Sequence, residues 1–332
     1  MPRIIDRMKK KMLVLCGLAV LTPPVAGWLA ADQLLHPPRR ALQDYHLEFL
    51  GDPAAHGVIL QRFTCSDGTP ALLCEPDGKA KAGRRGELIR EQLAARGVRL
   101  HPFGEMIGTL VLVHGRRGRK EDYLLIAERF CAAGFRCVLP DLPAHGDHPG
   151  RMAAYGVHEG GLPALVLRDA AARFGFDPAP AGIMGLSMGG AVSVQACVKN
   201  DAPWLAAVIV STFDTLPNVV RHQSASIAGE WAGEALAKMT GWMFQRRAGF
   251  PLDQADSAAV VARMRCPTLM AHGTSDSVIP ITLGRRLHDA LPAGLETEWV
   301  EIPQADHDNV LTTDFPIYAK MAEWMLRHVA RN

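Results

Sequence analysis

Six residues, Gly185-Leu186-Ser187-Met188-Gly189-Gly190, constrain what this chain can fold into more than any other stretch. Ala181-Gly182-Ile183-Met184 before them reads as a short buried strand, and Ala191 to Val198 after them as a helix packed on a sheet. A serine in so sharp a strand-to-helix turn needs small residues two before and two after it, because the chain passes close to itself there. The turn lifts the hydroxyl above the sheet edge. It also aims the first N–H groups of the helix at whatever that hydroxyl attacks. Gly-x-Ser-x-Gly in a strand–turn–helix setting is a far more specific signal than the bare string.

The chain around this turn alternates in type. Gly108 to Gly115 is a continuous apolar run ending in His114-Gly115, which suits a central parallel strand covered on both faces. A helix over 122–133, a strand over 135–140, a helix over 162–174 and a strand over 205–210 follow. The sheet resumes over 268–273 and 297–302, with a helix over 283–291 between them and a last helix over 316–329. This rhythm predicts an α/β fold, a mostly parallel sheet with right-handed crossovers and helices on both faces. Ahead of it, alternating apolar residues between His46 and Cys74 predict an antiparallel ribbon, and residues 79–97 an insertion with a surface helix over 87–94. Between Ser211 and Met264 the rhythm breaks. The long helical stretch 218–247 carries Trp231, Met239, Trp242, Met243 and Phe244. A helical cap over the strand ends, within 215–255, and plain packing against the sheet both fit that pattern.

A serine hydroxyl is a weak nucleophile at neutral pH; it needs a base, and the base needs a carboxylate to fix its tautomer and offset its charge. In an open parallel sheet such groups come from loops at the carboxyl ends of strands. The loop after His272-Gly273 carries Asp276, and the loop after the last strand carries Asp306-His307-Asp308. Asp214, following the strand over 205–210, is a rival acid. Asp306 and Asp308 lie too close in sequence to His307 to reach its ring easily. For a developing oxyanion, the backbone N–H of Met188 is one expected donor and that of Arg116, after His114-Gly115, the other.

These segments together resemble the α/β-hydrolase fold superfamily from about Gly108 to the carboxyl terminus. His114-Gly115 resembles its oxyanion loop, Asp141-Leu142-Pro143-Ala144-His145-Gly146 its turn after the next strand, and Gly185 to Gly189 its nucleophile elbow. Gly273-Thr274-Ser275-Asp276 matches the acid loop and Ala305-Asp306-His307 the histidine loop, in the order Ser, Asp, His. Ala144 and Asp306 depart from the pattern, since glycine is common at both places. The match at the acid loop favours Asp276 over Asp214. What the resemblance implies is hydrolysis of an ester, thioester or amide through an acyl-enzyme on Ser187, with His307 as base. Esterases, lipases and prolyl-oligopeptidase-like peptidases share the fold, and a non-catalytic binding protein that keeps it is the rival from another class. The bulky aromatics of the possible cap favour a small or medium acyl ester.

The amino terminus reads differently. Arg3, Arg7, Lys9, Lys10 and Lys11 precede an apolar run over 12–31 interrupted by Thr22-Pro23-Pro24, which predicts a single-pass membrane anchor (segment 1–34). The hydrolase domain, 35–332, would then lie on the extracytoplasmic side. A cleaved signal peptide, leaving a secreted or periplasmic protein, is the alternative. Leu35 to Arg40, with Pro37 and Pro38, reads as a stiff connector. With 36 basic against 34 acidic residues, a net charge of +2 gives no ground for a nucleic-acid partner. Arg116, Arg117, Arg119 and Lys120 read as a solvated basic face. The seven cysteines show no metal-ligand spacing; Cys65 and Cys74 flank a turn and are the one pair that could bridge. His114, His145, His148 and His158 invite a metal reading, but a second paired-histidine motif is missing and turn histidines are the better account. No cofactor is expected.

Overall fold

The computed structural model describes residues 24–330. One eight-stranded sheet runs through it, formed by β1 (Val58–Thr64), β2 (Pro70–Pro76), β3 (Gly108–Val113), β4 (Phe135–Pro140), β5 (Ala181–Leu186), β6 (Trp204–Val210), β7 (Thr268–Gly273) and β8 (Thr297–Ile302). The spatial order is β1-β2-β4-β3-β5-β6-β7-β8. The β1–β2 and β2–β4 pairs are antiparallel and every later pair is parallel.

The central strands lack polar alternation because both faces are covered. Val111, Val113, Ile183, Ala207 and Ile209 join the core on one face, while Leu110, Leu112, Met184, Ala206 and Val208 join the other. Helices α3 (Arg84–Ala95), α4 (Leu124–Ala132) and α10 (Ile317–Val329) cover the second face through residues such as Ile89, Phe130 and Met325. Helices α5 (Leu162–Phe174), α6 (Met188–Cys197), α8 (Ala258–Val261) and α9 (Ile281–Asp289) cover the first through Val166, Val192, Val261 and Leu287. From β3 the chain moves outward to β4; from β5 it moves the opposite way to β6. The crevice between the carboxyl ends of β3 and β5 is therefore the switch point, where open α/β sheets take ligands.

Three expectations need correction. The single-pass membrane anchor is the first. Among the described residues no helix is long and apolar enough to cross a membrane. Residues 12–23 of the apolar run, with the basic flank before them, lie outside the described residues. The rest of the run belongs to a helix over 24–35, α1, in which Ala31 and Leu35 are fully buried against protein while Val25, Trp28 and Leu29 stay about half exposed. Asp32 pairs with Arg247, whose guanidinium lies 4.6 Å above the Trp28 ring. The expected membrane partner and extracytoplasmic single-pass location go with the anchor.

Second, residues 46–50 are not strand but helix, α2 (Asp44–Gly51). His46 and Phe49 are buried one turn apart, and His46 Nδ1 accepts from Gln43 N at 2.9 Å to close the first turn. The antiparallel ribbon is β1–β2 alone. Cys74 lies opposite Leu60 and Cys137 in the sheet register, and Cys65 and Cys74 are both free thiols.

Third, the long stretch α7 (Leu216–Ala248) is two helical limbs meeting at Gly229 (φ 75°, ψ 169°). Arg221 and Glu234 face each other across the bend at 3.3 Å. Phe244 is fully buried and meets Phe250 edge-on at 5.4 Å, so it is core. Trp231 is 95% exposed at the bend, and Trp242 is half exposed beneath Arg246. The aromatics that favoured a small acyl group thus point into the core or to solvent.

Candidate active site

Ser187 sits between β5 and α6 with φ 56° and ψ −121°, a strained backbone that the surrounding structure over-determines. Its N–H donates to Val210 O at 2.8 Å, and Thr212 Oγ1 donates to its carbonyl at 2.9 Å. A Cβ on Gly185 would overlap Gly189 O, and one on Gly189 would overlap Val113 O. That crowding is why small residues flank the serine on both sides. A Cβ on Gly115, at the end of β3, would come within 3.3 Å of Ser187 Cβ, so the two loops touch across the switch point.

His307, in the loop after β8, places Nε2 3.0 Å from Ser187 Oγ and Nδ1 2.8 Å from Asp276 Oδ2. Asp276 Oδ1 accepts from the N–H groups of Val278 (3.0 Å) and Ile279 (2.7 Å). Burial alone would raise this carboxyl's pKa. Hydrogen bonds from His272, His307 and the Ile279 N–H outweigh it and hold the group far below the ordinary carboxylate range. An ionised carboxylate only accepts, so the His307 proton sits on Nδ1 and Nε2 is left to accept from the serine hydroxyl.

The rival acid lies elsewhere. Asp214 accepts from Thr215 N at 2.6 Å and Asn218 Nδ2 at 2.9 Å, and Arg286 stands 3.7 Å away, so it serves the start of α7. Asp306 is a different case. Its carboxylate accepts from His307 N (2.7 Å), Ser277 N (2.9 Å) and Ser277 Oγ (3.1 Å), lacing the histidine loop to the acid loop. In the sequence Asp306 is a departure from glycine and an acid too close to His307 to reach its ring; its link to Ser277 is visible only in the fold.

Met188 N–H is the first of α6 and has no carbonyl one turn earlier in the helix to bond. Gly118 N donates to Gly115 O at 3.0 Å, closing a turn over Arg116 and Arg117 with Arg117 at φ 64°. His114 anchors this turn from below. Its Nε2 accepts from Leu142 N at 3.0 Å, so Nδ1 carries the proton and donates to Gly115 O at 2.8 Å. Burial lowers its pKa and keeps the ring neutral. Arg116 Nη2 donates to Gln33 O of α1 at 2.7 Å.

The basic run is not a solvated face throughout. Arg119 and Lys120 are buried among Glu121, Asp141 and Asp147, with Lys120 Nζ 2.8 Å from Asp141 Oδ2. Three histidines of the metal reading, His114, His145 and His148, are engaged in loop hydrogen bonds, and His158 meets the Phe250 ring edge-on at 4.9 Å. His145 Nδ1 faces Pro143 O at 2.8 Å, and His148 accepts from Gly150 N at 2.8 Å and lies 3.2 Å from Thr69 Oγ1. No group of three or more metal-ligating side chains is gathered among the described residues. The first limb of α7 leans on the acid loop: His222 Nε2 lies 3.1 Å from Ser277 O, and Gln223 Nε2 donates to Val278 O at 2.7 Å.

Comparisons agree with this architecture. A pimeloyl-[acyl-carrier protein] methyl ester esterase of Chromobacterium violaceum is 26% identical over 263 residues, covering 67% of this chain and 96% of its own. An esterase structure from Pyrococcus furiosus superposes with a TM-score of 0.62 at 15% identity, over 90% of this chain and 99% of its own. An acylaminoacyl peptidase from Pyrococcus horikoshii gives a TM-score of 0.56 at 16% identity, over 88% of this chain and 45% of its own. At such identities the two structures speak for the fold alone. Residues 110–317 match the sequence profile of the alpha/beta hydrolase family, and the chain belongs to that family.

Proposed function

We propose that the protein is a serine hydrolase that cleaves carboxylic esters through an acyl-enzyme, with Ser187 as nucleophile, His307 as base and Asp276 as its partner. The observation that carries this reading is the unbroken line from Ser187 Oγ through His307 to Asp276 Oδ2, at 3.0 and 2.8 Å. His307 Nε2 takes the hydroxyl proton as Oγ bonds to the acyl carbon. The carbonyl electron pair moves onto oxygen, where the N–H groups of Met188 and Arg116 receive it. As the tetrahedral centre collapses, the C–O bond to the alcohol breaks and Nε2 returns the proton to the leaving oxygen. Water then repeats the sequence on the acyl-enzyme and frees the acid.

Esters are the first class to try because the Chromobacterium violaceum relative is named for a methyl ester. The test is a panel of carboxylic esters, thioesters and peptide amides, assayed with the wild type and Ser187→Ala. Ester turnover by the wild type, abolished in Ser187→Ala, is the expected result. Turnover of peptides alone would overturn the ester assignment, and equal rates for both proteins would remove the nucleophile.

A further inference from the structure

We propose that His272, a second imidazole behind the acid, is a positioning residue that holds Asp276 in line with His307. The proposal deepens the serine-hydrolase reading and rests on it. His272 is the fifth residue of β7 and is buried, with its Nε2 2.9 Å from Ile279 O. A carbonyl oxygen has no proton to give, so His272 Nε2 must carry one and donate. The same nitrogen lies 3.4 Å from Asp276 Oδ2, the oxygen that accepts from His307. One N–H therefore faces both the far end of the acid loop and the working oxygen of the acid.

The consequence follows from how that loop is built. Residues 276–279 fold into a tight turn in which Asp276 Oδ1 accepts from two N–H groups of the turn itself. Those bonds fix the carboxylate relative to the turn; Thr274 N to Ile302 O (3.0 Å) and Ser275 N to Ala305 O (2.9 Å) tie the start of the loop to β8 and the segment after it, which leaves the end of the turn at Ile279. His272 adds a constraint from β7 of the sheet, through the Ile279 carbonyl, at the end of the turn that the contacts of His222, Gln223 and Asp306 with Ser277 and Val278 do not reach. Its ring is held in its turn. Trp299 of β8 stacks on it at 6.2 Å and 24°, and Trp299 is fixed by its N–H to Glu301 Oε1 (3.1 Å) and by Arg285 lying 4.2 Å over its ring. On α9, Gly284 approaches so closely that a Cβ would overlap His272 Nδ1. The bland alternative is a core histidine whose only task is to satisfy a buried carbonyl. That role would cost stability when removed but leave turnover per folded molecule unchanged.

The test compares wild type, His272→Leu, His272→Gln and Gly284→Ala in steady-state ester hydrolysis, with folded fraction measured by urea unfolding. Misplacing a catalytic group by about 1 Å costs up to about 100-fold. His272→Leu is expected to lower kcat by about 10- to 100-fold per folded molecule with KM within about twofold. His272→Gln, whose amide N–H can replace Nε2, is expected to recover most of the loss. Gly284→Ala, which pushes the ring at Nδ1 and removes none of the groups that bond at Nε2, is expected to lower kcat several-fold. If His272→Leu does not fold, His272→Gln and Gly284→Ala decide: a slowed Gly284→Ala beside an active His272→Gln supports the proposal, and Gly284→Ala at wild-type kcat overturns it. A folded His272→Leu with wild-type kcat, or a Gln variant no better than Leu, also overturns it. If the wild type itself hydrolyses no ester and takes no phosphonate on Ser187, the serine-hydrolase reading fails and this proposal with it. A reactive wild type matched by His272→Leu sinks the His272 proposal alone.

Discussion

Arg116 reaches from the loop after β3 to the Gln33 carbonyl of α1, with its Nη2 2.7 Å from that oxygen. The residue proposed to give the second oxyanion donor is thus tied by its side chain to a helix outside the family-matched segment. Tyr155 OH donates to Leu34 O at 3.0 Å, and Ala153 N to Leu35 O at 2.9 Å, so α1 and its end also brace the loop after the His145 turn. Arg116→Ala keeps the backbone N–H but frees the turn. We expect kcat for ester hydrolysis to fall about tenfold with little change in KM, since geometry rather than chemistry is lost. Steady-state kinetics checks this, and an unchanged kcat would show that α1 does not position the loop.

Arg117 occupies a left-handed position, φ 64°, in the same turn. For a residue with a Cβ this costs about 1–2 kcal/mol. Glycine removes that strain but returns about 0.5–1 kcal/mol as added freedom of the unfolded chain. Relief wins narrowly, so Arg117→Gly is expected to stabilise the protein by about 0.5–1 kcal/mol. A urea midpoint that stays put or falls would mean that the side chain contributes more than its backbone loses.

Acid stability should be governed first by buried histidines. Burial, helped by neighbouring His114, pulls the pKa of His145 down to about 3. An unfolded histidine takes its proton near pH ~6.5. Between those values the unfolded chain binds a proton that the folded chain refuses, so stability is full above about pH 6.5 and declines as pH falls toward 3. The slope is at most about 1.4 kcal/mol per pH unit for each such group. His114, also lowered by burial, acts in the same direction. Asp276 works in a lower window: its depressed pKa adds stability that is intact above about pH 4 and lost only below it. Urea midpoints between pH 7.5 and 4.5 should fall less steeply in His145→Gln than in the wild type. Parallel curves would contradict the assignment.

The two aromatic ends of α7 should behave oppositely. Phe244→Ala empties a fully buried site against Phe250 and is expected to cost about 3–5 kcal/mol. Trp231, 95% exposed, should cost less than about 0.5 kcal/mol on the same change. Chemical denaturation of both variants measures the contrast.

Much of the architecture was legible because buried parallel strands announce themselves as unbroken apolar runs, as in β3 and β6, and because the elbow tolerates so few sequences. The loop residues Ser187, Asp276 and His307 were legible through their order and their places after strands. What escaped is tertiary. Residues 46–50 alternate like a strand, yet His46 and Phe49 also satisfy a helical spacing, and burial of both decided for α2. The apolar run entering α1 looked like a span because sequence does not show that Ala31 and Leu35, where the helix ends, are buried against protein. Arg119 and Lys120 looked solvent-facing because their acidic partners at 141 and 147 are distant in sequence. Asp306 read as a defect in a pattern, when its length lets it bind Ser277 across the gap between two loops. His272 gave a signal, its place four residues before Asp276, that becomes meaningful only once the turn between them is seen.

The most direct measurement is reaction of the intact protein with a fluorophosphonate, followed by mass spectrometric location of the adduct. The account predicts a single phosphonylated site at Ser187 in the wild type, none in Ser187→Ala, and strongly slowed labelling in His307→Ala. An unmodified Ser187, or labelling that is indifferent to the loss of His307, would contradict it.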